Sequence, residues 1–204
     1  YHPDYKGVGR PRRLSVPVYL SQYCYDQVQG QFPWLLPKEQ KQDQQEQPKP
    51  EEEDKSKPIV VHRDVASFDV TLFQDYEPMH IHGMEILPLP VWHGEDLISH
   101  GFAFTIHSKT GKPTNVVYLS DISRMVPETL ECILQRLPPT DILVVDALMW
   151  HGENPVHFSL DQAMALRDQI QPRRQTFLVG MNCTHAIISA FLKSIADSTR
   201  IILY

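Results

Sequence analysis

Histidine and aspartate side chains follow several of the predicted strands at the point where each strand ends. His93 comes directly after "ILPLPVW", Asp121 follows "NVVYLS", and Asp146 comes directly after "DILVV". His157 lies in a loop before a predicted helix, and His185 follows "FLVGMNCT". Because open α/β sheets place their sites beyond the carboxyl ends of the strands, these residues are candidates for one shared site. The spacing leaves open whether they bind a metal ion or are ordinary polar residues at strand ends.

A sixth and a seventh candidate stand in the segment "YHPDYKG" at residues 1–7. His2 and Asp4 are separated by one residue there. Imidazole nitrogens and carboxylate oxygens are ligands that suit Zn²⁺ or Mn²⁺. The segment alone leaves open whether this is part of a metal motif or a chance pairing.

The composition limits the partners of such a site. The chain has 204 residues, 42% of them hydrophobic, and a formal net charge of -6, so general binding to nucleic acids is not expected. A metal ion would supply local positive charge for an anionic phosphate. The three cysteines are an odd number without a C-x-x-C pair, which favours a reducing compartment. With no signal peptide and no apolar run near membrane-spanning length, we predict no membrane association and a cytoplasmic location, with the nucleus as a further compartment. A homodimer is among the assemblies that the sequence allows.

The pattern along the chain predicts one α/β domain over residues 1–204. Residues 37–58 contain no aliphatic or aromatic side chain, so we predict a disordered insertion there, either an inert spacer or a segment that recruits a partner. Apolar periodicity predicts layered sheets flanked by helices. The predicted helices cover residues 22–31, 127–137, 159–170 and 186–196. The predicted strands cover residues 16–21, 59–65, 68–73, 84–92, 101–108, 114–121, 141–148, 175–181 and 199–204. Arg173 and Arg174 are expected to lie in solvent rather than at a phosphate.

Five segments in a fixed order carry a family resemblance. These are "LPLPVWHGED", "VVYLSDISR", "DILVVDAL", "NPVHFSLDQA" and "FLVGMNCTH". Together they resemble the metallo-β-lactamase superfamily, and most closely the branch of the phosphonate-pathway cyclic phosphodiesterase and its eukaryotic relatives. The resemblance runs from His2 to about Tyr204, interrupted by the insertion. It implies an αββα sandwich that is incomplete at the N-terminus, because the family's first strands precede its first metal motif.

The resemblance also implies a role for the first segment. The superfamily's first motif is H-x-H-x-D-H, and "YHPDY" is similar to its last five positions. His2 then matches the second His and Asp4 the Asp. The motif's first His is expected upstream of Tyr1, and Tyr5 stands where the final His is usual.

Further site residues follow from the same resemblance. His93 is similar to the His of the third motif, and Asp121 to the carboxylate that bridges two metal ions. His185 is the match to the last His, with Cys183 as a substitute because the spacing of that motif differs. The implied cofactor is Zn²⁺ or Mn²⁺, as one or two ions. One ion is assigned to His2, His93 and Asp121, and the other to Asp4, Asp121 and His185.

The remaining roles concern proton transfer. His157 is similar to a general-acid His of the phosphodiesterase branch, and Asp4 is assigned to catalysis as well as to metal binding. Asp146 is expected either to orient a ligand through a hydrogen bond or to cap backbone amides. The implied function is a metal-dependent hydrolase that cleaves a phosphodiester in a small molecule or nucleotide with a metal-activated water. The alternative is a degenerate homologue that serves as a binding or scaffolding module, which Tyr5 and the irregular last motif favour.

Overall fold

The computed structural model describes residues 15–36, 67–109, 111–181 and the strand at 201–203. Contacts between residues divide the chain into two compact units, residues 1–73 and residues 74–204, and each is described by itself. Several predictions fall outside the described residues and stay predictions. They concern His2, Asp4, Tyr5, Cys183, His185, the insertion at 37–58, the strand at 59–65 and the helix at 186–196.

The first unit contains two parallel strands, the first of which is followed by a helix. β1 (Ser15–Leu20) pairs with β2 (Ser67–Leu72), and α1 (Gln22–Gln31) follows β1 directly. Ser21 caps α1, because its hydroxyl accepts a hydrogen bond from the Cys24 amide at 3.3 Å. A 3₁₀ turn (Pro33–Leu35) comes next. The strand predicted at 16–21 and the helix predicted at 22–31 are confirmed.

The second unit is built on a seven-stranded sheet in sequential order. Its strands are β3 (Met79–Ile81), β4 (Met84–His93), β5 (Leu97–Ile106), β6 (Thr114–Leu119), β7 (Ile142–Asp146), β8 (Gln175–Val179) and β9 (Ile201–Leu203). Pairing is antiparallel from β3 to β6 and parallel from β6 to β9. It follows that β4, β6, β7 and β8 run in the same direction. Their carboxyl ends therefore lie at the same edge of the sheet.

Two helical segments pack on this sheet. α2 (Pro127–Glu131) begins at a proline, as predicted, and continues as a π-helical turn (Cys132–Arg136). α3 (Leu160–Ile170) is capped by Ser159, whose hydroxyl accepts from the Gln162 amide while the Gln162 side chain accepts from the Ser159 amide. None of the described helices combines the length and the hydropathy needed to cross a membrane.

The core fixes the register of the strands. Leu89 and Val91 of β4, Leu119 of β6, and Leu143 and Val145 of β7 have no exposed surface. Each such side chain contributes about 1.5–3 kcal/mol when it is fully buried. A shift by one residue would turn these side chains to the opposite face, so their burial specifies the register strongly. The same register determines which residues come just after each strand.

A buried carboxylate joins the amino ends of the parallel strands. Asp141, directly before β7, accepts hydrogen bonds from the Asn115 amide at 2.9 Å and from Arg173 Nε at 3.1 Å, and Arg174 Nε lies 3.3 Å away. Burial alone would raise the pKa of Asp141, but these hydrogen bonds and the two guanidinium charges hold it below its ordinary value. Arg173 and Arg174 lie in solvent as expected, with side chains that are 53% and 46% exposed, and both also reach this buried carboxylate.

This carboxylate generates a testable prediction about acid stability. The pKa of Asp141 is lowered in the folded state, so the ionised group stabilises the fold above the ordinary value of 3.8 and loses this effect as the pH falls through the folded-state pKa. We expect Asp141→Asn to reduce the free energy of unfolding by about 1–3 kcal/mol at pH 7. The difference from wild type should shrink below pH 3.8. Thermal unfolding followed by circular dichroism between pH 7 and pH 3 measures both effects.

The matched control is Asp168→Asn, which removes a carboxylate that is 64% exposed and paired with Arg167. An exposed pair of this kind should change the stability by less than about 1 kcal/mol at any pH. Equal melting temperatures for wild type and Asp141→Asn at pH 7 would contradict the assigned role of Asp141.

Candidate active site

A hydrogen bond to a backbone carbonyl holds the ring of His93, the last residue of β4, in one orientation. Its Nδ1 lies 2.8 Å from the carbonyl oxygen of Val156. Because a carbonyl oxygen only accepts, Nδ1 carries the proton and donates it, and Nε2 keeps its lone pair. Histidine ligands of metal ions are fixed in the same way by a hydrogen bond from the other ring nitrogen. His93 is thus prepared to bind a cation through Nε2.

Asp121 follows β6 in a loop that is tied to the end of β4. Its φ of 51° lies in the left-handed region, which is uncommon for a residue other than glycine. Ser123 holds this loop through its amide, which donates to the Trp92 carbonyl at 2.7 Å, and through its hydroxyl, which accepts from the Gly94 amide at 2.9 Å. Because Trp92 and Gly94 flank His93, these bonds bring the Asp121 loop beside it. The Asp121 side chain is 60% exposed.

Asp146, the last residue of β7, is buried and bonded to His157. His157 Nδ1 donates to Asp146 Oδ2 at 2.6 Å, and the Asp146 side chain is only 4% exposed. Burial raises the pKa of Asp146, and the negative charge of Asp121 adds to this, although the hydrogen bonds from His157 and from the Ile122 amide act in the opposite direction. Asp146 therefore orients the His157 imidazole and accepts a hydrogen bond from the Ile122 amide.

His157 belongs to a closed loop at residues 147–159, between β7 and α3. Two backbone hydrogen bonds close it, from Leu148 to Phe158 at 2.9 Å and from Leu160 to Met149 at 2.7 Å. Inside the loop, the Asn154 side-chain oxygen accepts from the amides of Val156 and His157 at 2.9 and 3.0 Å. Asn154 thereby positions the Val156 carbonyl, which accepts from His93. It also positions His157, which donates to Asp146.

Four of the predicted site residues meet at the carboxyl edge of the sheet. The rings of His93 and His157 lie edge to face with their centroids 5.1 Å apart, and His157 Nδ1 lies 4.0 Å from Asp121 Oδ1. Asp146 is the fourth residue of the group. Gly180, directly after β8, leaves room for the Asp146 side chain, because a Cβ at position 180 would lie 2.9 Å from Asp146 Oδ1. Gly180 also has a φ of 77°, which side chains rarely adopt.

The donor atoms of this group are those that Zn²⁺ or Mn²⁺ would use. His93 offers Nε2, and Asp121 offers an exposed carboxylate. Over residues 15–36, 67–109 and 111–181, no three His, Cys, Asp or Glu side chains are arranged to hold an ion by themselves. The other candidate ligands His2, Asp4 and His185 lie outside that part of the chain. The two described ligands fit a metal ion, and the full ligand set stays a prediction.

Other residues of this region were not singled out from the sequence. Asn154 in "ENPV" carried a usable signal, because Asn side chains hydrogen-bond the backbone two residues on and Asn-Pro favours turns. No sequence signal could have identified the Val156 carbonyl, because every residue has a backbone carbonyl. His151, in the same loop, pairs with Asp161 at 2.9 Å at the exposed start of α3.

Comparisons with known proteins agree with this fold. The family model described as "Beta-lactamase superfamily domain" matches residues 11–179. The structure "New Diphosphatase from the PhnP Family" is similar with a TM-score of 0.60 and 20% identity over 93% of this chain and 56% of that one. The metallo-β-lactamase fold protein YhfI from Bacillus subtilis is similar with a TM-score of 0.59 and 13% identity over 93% of this chain and 62% of that one.

The chain thus spans less than two thirds of the length of these two structures. No curated protein sequence matches it significantly. The predicted α/β class and the predicted superfamily are confirmed by the family match and by the fold of the similar structures. The family model covers well over half of the residues, so the chain belongs to the beta-lactamase superfamily domain family and has the metallo-β-lactamase fold.

Proposed function

We propose that the protein is a metal-dependent hydrolase that cleaves a phosphodiester in a small molecule or nucleotide. The observation that carries the proposal is the Asp146–His157 pair, held at 2.6 Å beside His93 and Asp121. Such a pair of a buried carboxylate and an imidazole is suited to proton transfer, and its two neighbours are suited to a metal ion. The choice of a phosphodiester is supported by the motif resemblance to the phosphodiesterase branch.

His93 and Asp121 would bind the ion together with His2, Asp4 and His185. When bound, Zn²⁺ or Mn²⁺ would supply the positive charge that a phosphate needs and would acidify a water molecule. The hydrogen bond at Nδ1 leaves Nε2 as the nitrogen through which His93 would bind the ion. The Asp121 carboxylate, in a loop that Ser123 ties to the backbone beside His93, would supply an oxygen ligand.

His157 would act as the general acid. Its Nδ1 is occupied by Asp146, so Nε2 is the nitrogen from which a proton can pass to the leaving oxygen of the substrate. The Asp146 carboxylate would hold the imidazole of His157 in one tautomer and one orientation, as an aspartate does beside a catalytic histidine. Asp146 itself is in unfavourable surroundings when ionised, and protonation of His157 offsets this.

The two histidines should separate metal binding from proton transfer. We expect His93→Ala to lower the content of bound Zn or Mn and to abolish cleavage of bis(p-nitrophenyl) phosphate. His157→Gln should keep the metal content of the wild type and lower kcat by about 10²- to 10⁴-fold. Elemental analysis and steady-state kinetics on the same preparations measure both quantities.

The control is His80→Ala, because the His80 side chain is 69% exposed and lies in β3. This substitution should change neither the metal content nor kcat. Unchanged activity in His93→Ala would exclude this site. A wild-type protein with no stoichiometric Zn or Mn would instead support the binding or scaffolding module.

Asp146→Asn should weaken catalysis without weakening the fold. The amide oxygen can still accept from His157 Nδ1, but the negative charge is lost, so kcat should fall by about 10²- to 10⁴-fold. The raised pKa of Asp146 means that its ionised form disfavours the folded state above that pKa. The variant should therefore melt at or above the wild-type temperature at pH 7. The difference in melting temperature between the two proteins should decrease as the pH falls through the raised pKa of Asp146.

Calorimetric melting curves between pH 7 and pH 4, with kinetics at pH 7, test this prediction. A melting temperature clearly below that of wild type, with normal kcat, would assign Asp146 to the stability of β7 and not to catalysis.

A further inference from the structure

A cavity of about 410 Å³ lies at the end of the sheet opposite to the candidate active site. Its walls come from the β3–β4 hairpin, from β5 and β6, and from the segment that follows the π-helical turn. Binding pockets for small molecules have volumes of roughly 300–1,000 Å³ and mostly apolar walls. The cavity is therefore large enough for a small ligand, and the proposed hydrolysis does not use it.

A row of three apolar side chains crosses the floor of the cavity. Ala103 of β5 lies between Leu87 of β4 and Val117 of β6, because it pairs with both in the strand register. All three residues line the cavity. The small side chain in the middle of the row leaves a hollow between two larger ones. A ligand that fills this hollow gains most from an apolar body.

Two prolines end the helical cover of this part of the sheet. The π-helical turn ends at Arg136, and Leu137 has an extended backbone with a ψ of 155°. Pro138 and Pro139 follow, and a proline ring disfavours a helical conformation in the residue before it. The chain therefore leaves the helix at Leu137, and Leu137 and Pro138 become a side wall of the cavity.

A polar row lies next to the apolar one, closer to the exposed turn between β5 and β6. Thr105 and Asn115 pair across these strands, and the Thr105 hydroxyl donates to the Asn115 side-chain oxygen at 3.0 Å. The Asn115 side-chain amide donates to the Pro139 carbonyl at 3.1 Å. These bonds join two strands to the side wall, so the cavity has its shape without a ligand. They also engage both polar side chains, so the body of the ligand needs no polar group there.

The segments around the mouth of the cavity carry positive charge in an acidic protein. The mouth is formed by the exposed lining residues His80, Glu85 and His107. The hairpin at 79–86, the turn at 107–113 and the wall at 137–140 together contain two lysines and three histidines but one acidic residue. They are Lys109, Lys112, His80, His82, His107 and Glu85.

This distribution of charge selects the polar end of a ligand. Glu85 lies 3.5 Å from His80, so the one carboxylate of these segments already faces an imidazole. The lysines of the β5–β6 turn have no carboxylate in their own segment. Because the whole chain has a formal net charge of -6, the mouth differs in sign from the protein as a whole. A mouth of this kind favours an anionic group over a cationic one.

We propose that this cavity binds a small amphipathic carboxylate. The apolar chain or ring of the ligand lies over the row of Leu87, Ala103 and Val117, and its carboxylate lies at the positively charged mouth. The site is separate from the group of His93, Asp121, Asp146 and His157 at the carboxyl ends of the strands, so the inference does not rest on the proposed function.

Matched ligands test the preference for charge. Decanoate, 1-decanol and decyltrimethylammonium share an apolar chain and differ in charge, and 2-naphthoate replaces the chain by a ring. Isothermal titration calorimetry, below the concentrations at which micelles form, should show saturable binding of at least one carboxylate at one site. Decanoate should bind about tenfold or more tightly than decyltrimethylammonium. Equal affinities for these two ligands, or no saturable binding of either carboxylate, would overturn the proposal.

A substitution in the floor of the cavity tests the location. Ala103→Leu fills the hollow in the apolar row and should lower the affinity for the bound carboxylate by about tenfold or more. Ala165→Leu is the matched control, because it makes the same change at an exposed position of α3. The control should keep the wild-type affinity. An undiminished affinity in Ala103→Leu, or an equal loss in Ala165→Leu, would contradict the assigned site.

A substitution at the mouth tests the role of charge on exposed residues that the fold does not need. The double variant His107→Gln/Lys109→Gln should lower the affinity for decanoate by about three- to tenfold. Its affinity for 1-decanol should stay at the wild-type value. An equal loss for both ligands would remove the assigned role of the charge.

The Ala103 methyl group of the wild-type protein gives a readout that holds even if Ala103→Leu does not fold. Its nuclear magnetic resonance signal should shift during titration with the carboxylate and saturate together with the heat of binding. A methyl signal that stays in place while the carboxylate binds would put the ligand elsewhere and overturn the inference.

Discussion

The arrangement of the candidate site depends on one buried charge, the carboxylate of Asp146 at the end of β7. Burial of an ionised group is unfavourable unless hydrogen bonds and opposite charge offset it. The offsets here are the His157 imidazole at 2.6 Å and the Ile122 amide. Both partners stand in loops whose own hydrogen bonds fix them, and Gly180 leaves the space that a Cβ would fill. The surroundings of the site are thus organised around keeping this carboxylate in place.

Strand β7 has a buried aspartate close to each end, and the two illustrate opposite uses of the same side chain. Asp141, directly before the strand, is surrounded by an amide and two guanidinium groups, and its pKa is lowered. Asp146, the last residue, is removed from water by burial and also feels the negative charge of Asp121, and its pKa is raised. The first stabilises the fold when it is ionised, whereas the second weakens it. A destabilising charge at the end of a strand is typical of a group kept for chemistry.

The sequence predicted the elements and the gathering of four site residues because both follow from local patterns. Continuous apolar runs define β4, β6 and β7, and their parallel direction brings His93, Asp121 and Asp146 to one edge. Long-range polar contacts had no such signal. The pairing of Arg173 with Asp141 spans 32 residues, and the partner of His93 is a backbone carbonyl 63 residues away. The roles of His2, Asp4 and His185 remain predictions from the motif resemblance.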